Sequence, residues 1–144
     1  MSEFMQIALE QAKIAFDNGD VPVGSVIVRD GDVIGKSYNR KNKDNISIYH
    51  AEILSIIEAC EKIGNWHLDD CELYVTLKPC EMCLNAIAES RIKKVYYLLD
   101  SYYCDNLKCN YNGIDLQKIN AIGDYEVLLK SFFTEIRSNV SRET

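Results

Sequence analysis

Four side chains in this 144-residue sequence have types and spacings that could do chemistry. His50 stands two residues before Glu52 in "YHAE", and about thirty residues further on "KPCEMC" carries Cys80 and Cys83. An imidazole and two thiolates suit Zn²⁺, a borderline-soft ion that favours tetrahedral nitrogen and sulfur ligands. A structural zinc site is closed by four protein ligands, whereas a catalytic one keeps a position for water. Three ligands plus water is the sharper reading. Cys60, Cys71, Cys104 and Cys109 remain as thiols that could supply a fourth ligand, and the only other histidine is His67. Cys60 would lie at the far end of the His50 helix, about 15 Å away by helical rise, which makes it a poor partner. Glu52, beside the metal but not needed as a ligand, could take a proton from water and deliver it to a substrate. Zinc brings the pKa of its water to about 7. A hydrolysis that attacks carbon and expels an amine needs both proton movements, which is deamination.

These residues need elements to position them. Phe4, Ala8, Ala12, Ala15 and Phe16 recur at helical spacing and predict a helix over 3–18, with Gly19 as its stop. "VGSVIVRDGDVIGKSY" gives two β-rich runs about Asp30-Gly31, a favoured hairpin turn. A helix is expected from His50 to about Lys62, with Ile53, Ile56, Ile57 and Cys60 on its apolar stripe and Gly64 closing it. "CELYVTL" (71–77) reads as a strand, Pro79 suits the first turn of a helix to about Ser90, and 94–99 is another strand. Strand, helix and strand within about thirty residues form a βαβ unit with parallel strands. Residues 100–123 carry no clear pattern, and 125–137 predict a last helix with Val127, Leu128, Phe132 and Ile136 inward. The fold class is α/β, a mixed sheet with helices on both faces. His50 and Cys80 each open a helix, and Cys83 shares a helical face with Cys80, so two helix N-termini converge on one point and favour thiolates.

The bulk composition narrows the function further. At this length, 47% hydrophobic and 26% charged, the chain reads as one globular domain over 1–144. No apolar run approaches the ~18 residues needed to cross a membrane, and the N-terminus lacks a secretory pattern, so the expected location is cytoplasmic. There the six cysteines would stay reduced, and a disulfide framework is disfavoured. A net charge of −6 gives no whole-molecule attraction for nucleic acid, so RNA binding would have to use local patches. The candidates are Arg40, Lys41 and Lys43, then Arg91, Lys93 and Lys94, then Lys130, Arg137 and Arg142, each of which taken singly reads as a solvated surface charge.

H-x-E followed by P-C-x-x-C is the signature of zinc nucleobase deaminases. The ordered segments "DVPVGSVIV" (20–28), "NR" (39–40), "HAEIL" (50–54), "LYVTLKPCEMC" (73–83), "SRIKKVYY" (90–97) and "LLKSFFTEIR" (128–137) resemble the bacterial tRNA-specific adenosine deaminases. The resemblance covers roughly residues 3–99 and returns in the last helix. It implies a three-layer α/β/α cytidine-deaminase-like fold with a sheet of about five strands, one zinc per subunit, and a homodimer whose two subunits contact the RNA. Adenosine would become inosine at the wobble position of an anticodon stem-loop. By position, His50, Cys80 and Cys83 would be the ligands and Glu52 the proton shuttle. Asn39 would contact the base, the backbone N–H of Ala51 would meet the flipped base, and Val21-Pro22-Val23-Gly24 would lie along the pocket.

This chain departs from the family pattern at Lys78, where glutamate is usual, at Leu84-Asn85, where Ala-Gly is usual, and over "LLDSYYCDNLKCNYNG" after the strand 94–99. Leu84 and that altered segment motivate a second reading, deamination of a free base or nucleoside such as guanine or cytosine. A third reading is a non-catalytic, zinc-stabilised RNA-binding or partner subunit, against which Glu52 argues. Tyr102, Tyr103 and Tyr111 read as packing or loop surface rather than base platforms. Phe132-Phe133 reads as core or dimer contact, Trp66-His67 as packing at a helix-to-strand junction, and Cys104-x4-Cys109 as no second metal site.

Overall fold

The computed structural model describes residues 2–100, 110, 111, 113–119 and 124–143, with side chains of 110, 111 and 135–143 left aside. The element order is α1 (Glu3–Asp17), β1 (Gly24–Arg29), β2 (Asp32–Tyr38), α2 (Lys41–Asp44), α3 (Ala51–Ile63), β3 (Cys71–Leu77), α4 (Glu81–Glu89), β4 (Lys94–Leu99), β5 (Asn110–Tyr111), β6 (Ile114–Lys118) and α5 (Asp124–Glu143). The strands form one sheet in the order β2-β1-β3-β4-β6-β5. β1 pairs antiparallel with β2 and β3, β3-β4 and β4-β6 are parallel, and β5-β6 is antiparallel. The mixed sheet is therefore as expected. Its additions are β5 and β6, in the stretch without a sequence pattern, and the short α2.

Alternation along the strands builds the two faces. Ile27, Leu73, Val75, Val95 and Tyr97 point into one core with Ala51 and Ala59 of α3 and Leu84 and Ile87 of α4. Val26, Val28, Tyr74, Tyr96 and Leu98 point to the other, where Met5 and Ala8 of α1 cover them. α5 touches α1 on that side. At the hairpin tip Asp30 and Gly31 both take positive φ, 50° and 82°, which a two-residue turn matching the strand twist requires.

Two helical faces and one helix start differ from expectation. On α3 the buried residues are Ala51, Glu52, Leu54, Ser55 and Ala59, while Ile57 is 43% exposed and Ile53, Ile56 and Cys60 are only partly covered. The cause is close packing on β2. A Cβ at Gly35 would fall inside contact distance of the Ser55 carbonyl oxygen and 3.2 Å from Ala59 Cβ. Small residues face a glycine there, and the larger isoleucines flank the contact. On α5, Val127 is 64% exposed and the inward stripe is Tyr125, Leu129 and Phe132, with Leu128 half-buried. On α4, Pro79 lies outside the helix, which Cys80 caps.

Gly35→Ala should test the α3 contact. An added methyl must displace α3, so we expect a loss of about 1–3 kcal/mol in denaturant unfolding. Turnover should fall with it, because α3 carries His50 and Glu52 at its start. Unchanged stability would contradict the packing described.

Trp66 and His67 pack at the helix-to-strand junction as expected, but on the surface. Trp66 is 53% exposed, stacked on His67 at 3.8 Å between ring centroids, with the Arg91 guanidinium 5.0 Å from the indole. The junction packs on itself at the surface, because Leu68, fully buried, fills the core position there.

Candidate active site

The chemistry-bearing residues meet at one end of the sheet, where β2 leads towards α3 and β3 leads into α4. His50 and Cys80 occupy the N-cap positions of α3 and α4, and neither makes a side-chain capping hydrogen bond. Their side chains face each other instead. His50 Nδ1 lies 3.7 Å from Cys80 Sγ and 3.6 Å from Cys83 Sγ. All three donor atoms lie within 4.8 Å of one another, the only such group of three among the described residues. A tetrahedral zinc with nitrogen at about 2.05 Å and sulfur at about 2.3 Å sets those two atoms about 3.6 Å apart. The spacing and the donor set therefore fit zinc.

Hydrogen bonding from Cys83 holds the Cys80 thiol down to about 4, with His50 adding to the effect. Cys80 is thus a thiolate at neutral pH, the form that binds metal. The same bond and burial push Cys83 up. His50 is raised, chiefly by its hydrogen bond to Cys80. Glu52 is 4% exposed on the inner face of α3, and burial pushes its carboxyl up to about 7. A carboxyl poised there can hold or release a proton near neutral pH. Cys60 and Cys71 are free thiols outside this group, and burial pushes Cys71 up to about 11. Cys104, Cys109, Tyr102 and Tyr103 lie outside the described residues, as do the side chains of Tyr111, Ile136, Arg137 and Arg142.

His50, Glu52 and Cys80 open onto a cavity of about 340 Å³. Val21, Val23 and Asn39 line it, as do Asp20, Lys41, Asn42, Leu77 and Lys78. Phe132, buried as core as the sequence suggests, and Phe133 also close the α5 side of the cavity. Pro22 and Gly24 are buried behind the wall and do not line the cavity. Gly24 lets β1 pack closely on α1, since a Cβ there would sit 2.6 Å from Ala12 N and 2.7 Å from Gln11 Cβ. Its N–H donates to Thr76 Oγ1.

Ala51 also differs from expectation. Its backbone N–H donates to Asn39 Oδ1 at 2.8 Å, so this amide is engaged by protein rather than directed at a base. The reason is that His50 offers no cap, and a buried helix-start N–H needs an acceptor. Asn39, 7% exposed, supplies it across the loop. Asp20 plays a similar part for α2, accepting from the N–H groups of Asn42 at 2.7 Å and Lys43 at 3.0 Å. Asp20 escaped sequence reasoning because its partners lie more than twenty residues away. Lys78 was visible only as an unusual residue beside Cys80.

Asn39→Ala would leave the Ala51 N–H buried without a partner, at a cost of about 1–3 kcal/mol. Denaturant unfolding should show that loss, and zinc affinity should fall because the His50 end of α3 loosens. A variant as stable as the parent would show that the bond carries no load.

The α/β/α layering with this site defines a hydrolytic deaminase of cytidine-deaminase-like fold. A MafB19-like deaminase model matches residues 1–137, and the chain belongs to that family. The tRNA-specific adenosine deaminase of Aquifex aeolicus (strain VF5) is 37% identical over 95% of this chain and 96% of its own length. That of Rickettsia felis (strain ATCC VR-1525 / URRWXCal2) is 42% identical over 92% of this chain and all of its own. Similarity thus extends beyond residue 99 in these relatives. The namesake of Bacillus subtilis (strain 168) matches over only 65% of this chain. Among solved structures, one from a study of A-to-I editing by tRNA:A34 deaminases at the wobble position is 36% identical. It has a TM-score of 0.71 and covers 81% of this chain and 96% of its own. The guanine deaminase of Bacillus subtilis aligns with a TM-score of 0.66 at 30% identity, over 96% of this chain and 95% of its own.

Proposed function

We propose that this chain converts adenosine to inosine at the wobble position of a tRNA anticodon, as a zinc-dependent hydrolytic deaminase. The observation that carries the reading is the His50, Cys80 and Cys83 group at tetrahedral zinc spacing, opening with buried Glu52 onto one cavity. The full-length relatives named for this activity support the substrate.

His50 Nδ1 and the two sulfurs would hold the ion, which supplies Lewis acidity and lowers the pKa of a bound water. Glu52 takes a proton from the attacking water and places it on adenine N1, which makes C6 electrophilic. The hydroxide so formed adds to C6, its remaining proton passes through Glu52 to the amino group, the C6–N bond breaks with formation of the C6 carbonyl, and ammonia leaves. Val21, Val23, Leu77, Phe132 and Phe133 give the base apolar walls and exclude bulk water. Asn39 keeps an amide group, Nδ2, for the base, its Oδ1 already holding Ala51. A target buried in a stacked loop must be flipped out to enter.

We further infer that residues 1–144 act as one domain in the cytoplasm, as a homodimer with one zinc per subunit. Light scattering and metal analysis of the purified protein check the last two points.

The fold similarity to a guanine deaminase favours a second reading, deamination of a free base. One experiment separates them. Incubate zinc-loaded protein with total tRNA, an arginine anticodon stem-loop, free guanine and free cytosine, then measure inosine and ammonia. Inosine in the RNA supports the proposal. Ammonia from a free base with untouched RNA overturns it, and inactivity on every substrate would favour a non-catalytic RNA-binding or partner subunit.

A further inference from the structure

The cavity's charges single out part of the substrate beyond the base. Its cationic side chains are Lys41 and Lys78, brought to it by different elements: Lys41 opens α2, and Lys78 sits in the β3–α4 loop two residues before Cys80. The negative charges in the same wall are committed. Asp20 is 1% exposed and accepts two backbone N–H bonds, while Glu52 lies inward at the proton-transfer position. Lys78 is only 9% exposed, which is rare for a lysine. Its Nζ stands 5.8 Å from the centre of the Tyr97 ring, and Asp100 lies within its electrostatic reach. Asp100 in turn pairs with Lys118 at 2.8 Å. The lysine head is thus held in a defined place at the site's edge, in a protein whose net charge of −6 would otherwise repel a polyanion.

A neutral purine needs neither cation, since ring nitrogens and amino groups are met by amides and carboxylates. Phosphates need both, because lysine is a point-charge partner for phosphate oxygen. We propose that Lys78 and Lys41 form a two-sided clamp for the phosphates flanking the deaminated nucleotide, making a phosphodiester-linked base the preferred substrate over a free one. This rests on the deaminase reading above and refines its substrate class. The two lysines are specificity residues. Neither takes part in proton transfer.

The test uses fluorescence anisotropy with zinc-loaded Glu52→Gln protein, so that binding is read without turnover. The probes are a labelled anticodon stem-loop and copies carrying one neutral methylphosphonate linkage, 5′ or 3′ of the target adenosine. Each neutral linkage should weaken binding about tenfold, the scale of one charge-assisted contact. Lys78→Met and Lys41→Met should each weaken binding to the natural loop by a similar factor and flatten its log–log salt dependence by about 0.7. Each should also be indifferent to one of the two neutral linkages, which pairs a lysine with a phosphate. Asp100→Asn separates the alternative in which Lys78 serves only an internal ion pair, and should bind within twofold of the parent. Equal sensitivity of parent and lysine variants to both linkages would overturn the clamp. So would full binding by both lysine variants, or an Asp100→Asn defect matching that of Lys78→Met. Because the unmodified protein also reads the neutral linkages, a misfolded lysine variant would not leave the proposal open. An absence of inosine with parent protein that still shows the linkage effect would instead count against the wobble-adenosine reading alone.

Discussion

Glu52→Gln is expected to lower kcat on an anticodon stem-loop by about 10²–10⁴-fold while leaving one zinc per chain. The change keeps the size of a side chain that is 4% exposed, so packing against the neighbouring core is retained. What it removes is the ability to accept a proton from water and return it to the purine. Glu52 lies on the inner face of α3, two residues from His50 but outside the His50, Cys80 and Cys83 group, so metal binding does not depend on it. Single-turnover inosine formation and atomic absorption measure the two quantities on one sample. Substantial turnover by the zinc-loaded variant would remove Glu52 from the mechanism. Loss of zinc along with activity would make it a metal-site residue.

The second large effect concerns the metal. Cys83→Ser should bind little zinc, show no measurable deamination and unfold at lower temperature than the zinc-loaded parent. The hydroxyl is a poor exchange for a thiolate at a soft-ligand site, and Cys83 is fully buried, so no other donor enters from solvent. The stability change follows from linkage, because an ion that binds the folded chain favours it by mass action. Dialysis of the parent against a chelator should lower its Tm in the same direction, and added zinc should restore it. A Cys83→Ser protein with a full complement of zinc would show that two protein ligands suffice.

The metal group was legible in the sequence because its residue types are distinctive and each sits at the start of a periodic helix. Two thiolates three residues apart and an imidazole two residues before a carboxylate restrict the chemistry, and the β-α connections that bring Cys80 to His50 follow from apolar periodicity. What sequence could not show was which small residues touch. Periodicity on α3 highlights its isoleucines, yet Gly35 selects Ser55 and Ala59 for the sheet contact, a choice made by a residue twenty positions away. α5 shows the same limit, since Val127 fits the apolar pattern and still faces out. Asp20 and Asn39 bond backbone amides across loops, and no composition signal marks a carboxylate or carboxamide as a remote helix cap. Trp66 packs at its junction as read, yet on His67 at the surface and not in the core.

The strand order has a consequence in time. β1 and β2 meet across a two-residue turn, whereas the pairing of Ser25 with Val75 must close some fifty residues of chain. Loop closure makes such distant pairing slower than a hairpin, which forms in about 1–10 μs. Cys80 is placed beside His50 only after β3 has found β1, so the His50, Cys80 and Cys83 group should assemble late in folding. Pulsed hydrogen exchange should protect Val33–Gly35 before Leu73–Val75, and simultaneous protection would show that the sheet forms as one event. A chain still short of β3 at the ribosome would carry its histidine without the two sulfurs that complete the centre.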